Sequence, residues 1–446
     1  MKIRYIATLL LLAVGAVSCK DWLDVYPRSE ITSNKVFENE DGFYSALAGL
    51  YIKMADDKLY GFDLTCGYLD LMGGAVYMGA GNMVTYQANN YYADPTYGPM
   101  VAALQFPAFN YTRGGIRTEK TDATLETIWT KMYNTITNAN LLLQELKTTD
   151  VAFETGVKEL LTGEALAVRA YLHLDLVRLF QPPYLSEQGR TAKRIPYMET
   201  LDALKFVPSS TTDEILDKVD ADLAHAAEIM KDNDPISSDK SYHTLMFTTN
   251  RQYKLNYYAV KLLQARSFLY RGKDKEAYEA AKEVIDNAAG AGVHFITEAE
   301  RSRVDSYGTP VDRSCPMENL FAVLTDDLDN NVRDAISMSG KRLGAMARFA
   351  SNKWLSATSG LVPEAFFSAA SDIRINLWKR TVPTAGMVGK YIRESSAAED
   401  VALYPKQAVT LLKLGEAYLI AAEAAITAVS PSEGLSILRQ LQDARK

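Results

Sequence analysis

Eight tyrosines, Tyr60, Tyr68, Tyr77, Tyr86, Tyr91, Tyr92, Tyr97 and Tyr111, fall within 52 residues, where 26 in 446 would place about three. Gln87, Asn89, Asn90, Asn110 and Arg113 are interleaved with them. A tyrosine ring offers a flat apolar face and a polar tip. That face suits the C–H face of a sugar ring, while amides and a guanidinium reach hydroxyl groups. Residues 84–112 carry one charged residue, Asp94, so this segment favours stacking and hydrogen bonding over ion pairing. Rings packed against the protein's own body are an equally good account of any single tyrosine here.

Other chemistry finds little material. His173, His225, His243 and His294 are scattered singly, without metal-ligand spacing, so no metal site is expected. Asp327-Leu328-Asp329-Asn330-Asn331 begins like a calcium loop, but the glycine and the closing bidentate glutamate are absent. Gly79-Ala80-Gly81 and Gly290-Ala291-Gly292 continue to Val84 and Phe295, where a dinucleotide loop needs glycine, so no cofactor is implied. No nucleophile elbow or phosphate-cradling loop occurs. Glu164 and Arg169 sit among apolar neighbours in one helical stretch, which favours structural pairing over catalysis. Asp175 and Arg178, three apart, make a helix-surface pair. With no nameable nucleophile, acid or base, the chain reads as a non-enzyme. A formal charge of −7 and a pI near 5.4 give no basic field for nucleic acid.

Apolar spacing places the positioning elements. Leu125 to Leu146 turns Ile128, Trp129, Met132, Ile136, Ala139 and Leu143 to one side. Gly156 to Phe180 follows, stopped by Pro182-Pro183. A third helix starts at Thr211-Thr212-Asp213-Glu214 and runs to about Met230. Asn256 to Ala289 is a helix pair broken at Gly272, near the 34-residue tetratricopeptide period. Another pair runs from Leu411 through Ala424, then from Pro431 to Leu441. The expectation is a mainly α chain of tetratricopeptide-like helical pairs with long loop-rich insertions. The helical body covers about 125–290 and 407–446, the Tyr-rich loop region about 60–117, and a loop-rich insertion about 291–405. The insertion includes the strand-like run Asn319–Leu324.

The N-terminus gives an address. Lys2 and Arg4 precede an apolar run, Ile6 to Val14, too short to span a bilayer and shaped like a secretory signal. It ends in Ala16-Val17-Ser18-Cys19, which resembles a lipobox whose cysteine is acylated after cleavage, with Ala16 where leucine is usual. Residues 1–18 are thus expected to be a signal peptide and Cys19 the lipidation site. Their removal leaves 46 basic and 55 acidic residues.

The mature chain resembles the SusD/RagB family of outer-membrane nutrient-binding lipoproteins. The resemblance rests on Asp21-Trp22-Leu23-Asp24-Val25-Tyr26-Pro27, Ala46-Leu47-Ala48-Gly49-Leu50-Tyr51, and the run Trp129, Tyr133, Ile136, Ala139, Asn140. It continues through Gly163-Glu164-Ala165 with Arg169-Ala170-Tyr171, Asp372-Ile373-Arg374 and the Glu416–Glu423 helix. The family commonly extends past the last helix pair, whereas this sequence stops at Arg445-Lys446. The resemblance implies a SusD-like α superhelix forming one domain over 19–446. It implies a non-catalytic, outward-facing lipoprotein of the outer membrane that captures oligosaccharides and passes them to a SusC-like TonB-dependent transporter. Tyr86, Tyr91, Tyr92, Tyr97 and Arg113 are the candidate ligand contacts from the first loop region. Loops after the third helix pair, near Asp326–Trp354, add Arg333 and Trp354. A RagB-like peptide receptor of the same transporter system and a helical-repeat envelope scaffold are the alternatives.

Overall fold

The computed structural model describes residues 33–67, 69, 76–78, 119–201, 206–302, 315–325, 347–349, 379–380, 387–388 and 408–446. Helices dominate, and four of the eight long ones among the described residues begin at a side-chain cap. Helix α1 (Glu40–Met54) starts from Asn39, whose side chain accepts the Gly42 N–H at 3.0 Å, with Glu40 and Asp41 at its positive end. Phe43, Leu47, Leu50 and Met54, spaced four, three and four apart, form its buried stripe. Helices α2 (Glu119–Thr148) and α3 (Val157–Phe180) follow. Helix α4 (Thr212–Met230) opens on a capping box between Thr211 and Glu214. Helix α5 (Tyr257–Tyr270) is capped by Asn256, and α6 (Asp274–Asn287) follows Gly272, whose φ of 70° makes the turn. Helices α7 (Leu414–Ala428) and α8 (Pro431–Asp443) close the order, the latter capped by Ser430 with proline in its first turn.

Consecutive helices pack on one another from α1 to α8, with α6 lying against α7, so the pairs stack into a single right-through row. Close approach depends on small residues at the crossings. A Cβ on Gly163 of α3 would lie 2.4 Å from Met230 Cγ of α4, so the Met230 side chain packs into the space this glycine leaves. Ala277, Ala280 and Ala281 of α6 and Ala417, Ala421 and Ala424 of α7 are buried in the same way. One hydrophobic core runs through the row, centred on α3, where the apolar residues surround the helix completely.

Among the described residues, eight short strands form four antiparallel pairs: β1 (Val76–Met78) with β5 (Ala347–Phe349), β2 (Lys193–Ile195) with β3 (Ser210–Thr211), β4 (Asn319–Leu324) with β8 (Ala408–Lys413), and β6 (Lys379–Arg380) with β7 (Met387–Val388). The β4–β8 ladder is buried, with Leu320, Phe321, Val323, Val409 and Leu412 in the core. Its last pair is Leu324 with Ala408. The chain leaves this two-stranded neck at Leu324 and rejoins it at Ala408.

The helices expected over 125–146, 156–180, from 211 to about 230, and through the 256–289 pair all form, the first extended to 119–148. Three differences stand out. Residues 408–413 are a strand rather than the start of the last helical segment, because β4 supplies their partner. Glu40–Met54, ahead of the expected helical body, is a full helix. Tyr60, at the head of the Tyr-rich region, is 2% exposed and packed edge-on against Tyr171 of α3 at 5.2 Å, so this ring belongs to the core. Among the described residues, no helix is long and apolar enough to cross a membrane.

Candidate functional site

Cys19, Tyr86, Tyr91, Tyr92, Tyr97, Arg113, Arg333 and Trp354 all lie outside the described residues. What the structure gives is the framework from which their segments spring. The first stem follows α1: Tyr60 N–H donates to Met54 O, Gly61 N–H to Asp56 O and Leu64 N–H to Leu59 O, folding 55–64 into a compact turn. Leu59, Phe62 and Leu64 anchor it in the core, and the Tyr60 hydroxyl donates to Asp175 Oδ2 at 2.8 Å. Asp175 also accepts from Arg178 at 3.0 Å, so the anticipated surface pair exists and carries a second duty. The second stem is the β4–β8 neck. Phe321 of β4 sits near the rings of Tyr51 and Tyr171, at 5.8 and 6.4 Å.

The two stems' segments meet at β1 and β5. Val76 pairs with Phe349, Tyr77 with Arg348 and Met78 with Ala347. β1 lies eight residues before Tyr86, and β5 ends five residues before Trp354. β5 also lies against β7. Backbone hydrogen bonding thus joins the two chain segments that carry the sequence-derived candidates.

Two charged centres lie in the helical row, the first fully buried and the second largely so. In the first, Arg251 donates from Nε and Nη2 to both oxygens of Asp234 at 2.8 Å, and from Nη1 to Glu164 Oε1 at 2.7 Å. The other Glu164 oxygen accepts the Tyr51 hydroxyl at 2.5 Å, and that hydroxyl accepts the Leu255 N–H at 3.0 Å. Asp234 takes further N–H bonds from Tyr257 at 2.9 Å and Ile236 at 3.1 Å. Side-chain exposure is 5% for Arg251, 1% for Glu164 and 0% for Asp234. Burial and the adjoining Glu164 carboxylate push the Tyr51 phenol well above its ordinary range. Although burial alone would lower it, Arg251 is held further towards the charged form by Asp234 and Glu164. With its polar atoms spent on one another and no face to solvent, this group cannot meet a substrate. It is structural, as expected for Glu164, although the partner is Arg251 rather than anything on its own helix.

The second centre is built on Arg169. Its Nε and Nη2 each donate to one oxygen of Asp222 at 2.7 Å, and Nη1 donates to Asn140 Oδ1 at 2.9 Å. Asn140 in turn donates to Met198 O at 3.0 Å, and Tyr133 to Pro196 O at 2.9 Å. His173 stacks on Tyr197 with ring centroids 4.0 Å apart. Its Nδ1–H donates to Arg169 O at 2.9 Å, and its Nε2 accepts the Met198 N–H at 3.1 Å, which fixes a neutral tautomer. Burial lowers its pKa to about 3, with Arg169 and Lys218 adding to the fall against the upward pull of the Arg169 carbonyl. The most recognisable sequence runs, from Trp129 to Asn140 and from Gly163 to Tyr171, therefore strap residues 196–198 onto α2 and α3. Among the described residues, no three His, Cys, Asp or Glu side chains come together to hold a metal. Cys315 is buried.

Sequence reasoning did not single out Arg251 or Asp234, both central to this framework, because each sits in a polar stretch between helices that reads as loop.

The described fold is a row of stacked helix pairs with a two-stranded neck at β4–β8 and a distant strand pairing at β1–β5. Residues 71–272 match the SusD-like_3 family model, described as starch-binding and associating with the outer membrane. Solved structures agree in fold. A SusD superfamily protein from Bacteroides vulgatus superposes with a TM-score of 0.65 at 19% identity, covering 92% of this chain and 80% of that one. A SusD-like carbohydrate binding protein from the same species gives 0.59 at 16%, covering 91% and 75%. A laminarin binding SusD-like protein gives 0.55 at 16%, covering 91% and 84%. No curated protein sequence matches the chain.

Proposed function

We propose that this chain is a lipid-anchored, outward-facing and non-catalytic glycan-binding protein of the outer membrane, which captures oligosaccharides and delivers them to a SusC-type TonB-dependent transporter. The observation that carries the reading is the β1–β5 pairing, which joins the Tyr-rich segment to the segment leading to Trp354. A sugar chain needs more than one ring to stack on and polar groups beside them, and two loops from distant sequence supply these only if their stems are held together. The family's starch-binding description and the laminarin-binding neighbour support a glycan as cargo. Cys19 carries the lipid, and Tyr86, Tyr91, Tyr92, Tyr97 and Arg113 face the ligand together with Arg333 and Trp354.

Calorimetry with soluble starch and laminarin tests this on the wild type and on the four single Tyr→Ala variants. Loss of a stacked ring is worth about 1–3 kcal/mol by analogy with stacked bases, so at least one variant should bind roughly five- to a hundredfold more weakly. Its thermal melt should stay unchanged. Unaltered affinity in all four, with lowered stability, would show that the tyrosines only pack. Sugar products released from either glycan by repurified protein would overturn the non-catalytic reading. A fatty-acid label retained by Cys19→Ser would remove the anchor.

A further inference from the structure

We infer that the outer face of the α7–α8 pair docks a second copy of this chain, in a two-fold arrangement that sets α7 of one copy against α8 of the other. Among the described helices these two stand last in the row, α7 packed on α6 and α8 on α7. At about 100° per residue, Leu419, Glu423 and Ile426 lie on the side of α7 opposite the buried Ala417, Ala421 and Ala424. On α8, Glu433 accepts the Tyr278 hydroxyl of α6 at 3.4 Å, and Leu435 and Arg439 lie away from that side. The helices touch at Gly434, where a Cβ would lie 2.5 Å from Ala422 O and 3.1 Å from Ile426 Cγ1. Leu435, the next residue, therefore shares one surface with Ile426. Leu419, Ile426 and Leu435 are 52%, 52% and 47% exposed. An end unit of a stacked helical row turns a polar face to water unless another unit covers it. Here three large aliphatic side chains are turned outward together.

The charges on the rim identify the occupant. Glu423 flanks the apolar stripe on α7 and Arg439 flanks it on α8; both are exposed, and among the described residues neither has a charged partner. A two-fold axis running along the helices, in the plane of the face, carries α7 over α8 of the second copy. It brings Glu423 towards Arg439 twice, once on each side of the axis. An axis across the helices would oppose Glu423 to Glu423, so the charges select the first arrangement. An anionic lipid surface would call for a basic rim, whereas Glu423 and Arg439 balance. Helices of 15 and 13 residues are about 20 Å long and together about 20 Å across, so the face offers on the order of 400 Å² in projection. Side-chain relief brings this towards the about 600–1,000 Å² that each partner of a specific interface contributes. The dimer is accordingly weak and depends on concentration.

Sedimentation equilibrium of the full chain, from roughly 1 to 100 µM, should show reversible exchange between monomer and dimer. Leu419→Asp should abolish the dimer and leave the thermal midpoint of the dilute chain unchanged, because this side chain is half exposed. Glu423→Arg and Arg439→Glu should each weaken association at least about fivefold, since the two-fold counts every change twice. The double swap E423R/R439E should return it to within about threefold of wild type. A chain that stays monomeric at the highest concentration would overturn the inference. So would association that none of these variants alters, which is what the lipid or the N-terminal apolar run would give. Weakening by both single swaps without rescue by the double swap would refute the placing of α7 against α8.

Discussion

Lowering the pH from 7 to 5 should destabilise this protein chiefly through one side chain, His173. In the unfolded chain its imidazole titrates near 6.5. In the fold, burial beside Arg169 and Lys218 holds it to about 3. The folded pKa is depressed, so the unfolded state binds the extra proton first, and stability is lost as the pH falls below the unfolded value. At about 1.4 kcal/mol per pH unit, the part of that window between 6.5 and 5 removes about 2 kcal/mol. Carboxylates scarcely contribute there, because their unfolded values lie near 4. Urea unfolding followed by circular dichroism, at pH 7 and at pH 5, measures the difference directly. His173→Gln keeps a donor and an acceptor without a titrating proton, so its two curves should nearly coincide after its own loss of ring stacking is subtracted. An equal pH effect in wild type and variant would refute the assignment and with it the neutral tautomer shared by Arg169 O and Met198 N–H.

Two further outcomes follow from buried ion pairs, one of them the Arg251 centre and the other a pair between Glu318 and Arg445. Arg251→Met leaves Glu164 and Asp234 buried without their counter-charge and should cost about 3–5 kcal/mol, read as a lowered thermal midpoint. A loss below about 1 kcal/mol would mean that water reaches the group. Glu318 accepts Arg445 through both oxygens, at 2.5 and 2.7 Å, and against the upward pull of burial the Arg445 hydrogen bonds and the charges of Lys413 and Arg445 lower its pKa. Its contribution is present above the unfolded glutamate value and lost as pH falls through the folded one. Glu318→Gln should therefore be less stable at pH 6 and show a shallower acid limb below about pH 4.5, which acid titration of the circular dichroism signal checks.

Much of the helical row was legible because its signals are local. The capping residues Thr211, Asn256 and Ser430 and the punctuation at Pro182 and Gly272 each act within a turn of where they stand. The strand β8 was not legible in the same way. Ala408-Val409-Thr410-Leu411-Leu412-Lys413 is a short run with three apolar residues after its first, compatible with a helix start or a buried strand, and only β4 decides between them. The charged centres have the same non-local character. Glu164 and Arg169 lie five apart on one helix, yet each finds its partner elsewhere, Glu164 with Arg251, 87 residues on, and Arg169 with Asp222, 53 residues on. As for the candidate site, the sequence marked the tyrosine cluster and the second loop region, but the β1–β5 pairing that connects them spans some 270 residues and left no local trace.

The neck has a consequence for how such a protein diversifies. Leu324 and Ala408 face one another across an antiparallel pair, so the chain ends flanking the excursion stand about 5 Å apart. Segments of very different length can be grafted between two points so close without altering the distance the helical row must span, and longer loops add little to the entropic cost of closure. Recognition can therefore drift, by insertion or exchange of whole loops, while the row beneath accumulates only the substitutions its packing tolerates. On the proposed function, the segment between Leu324 and Ala408 is a cassette and the helices are its fixed mount.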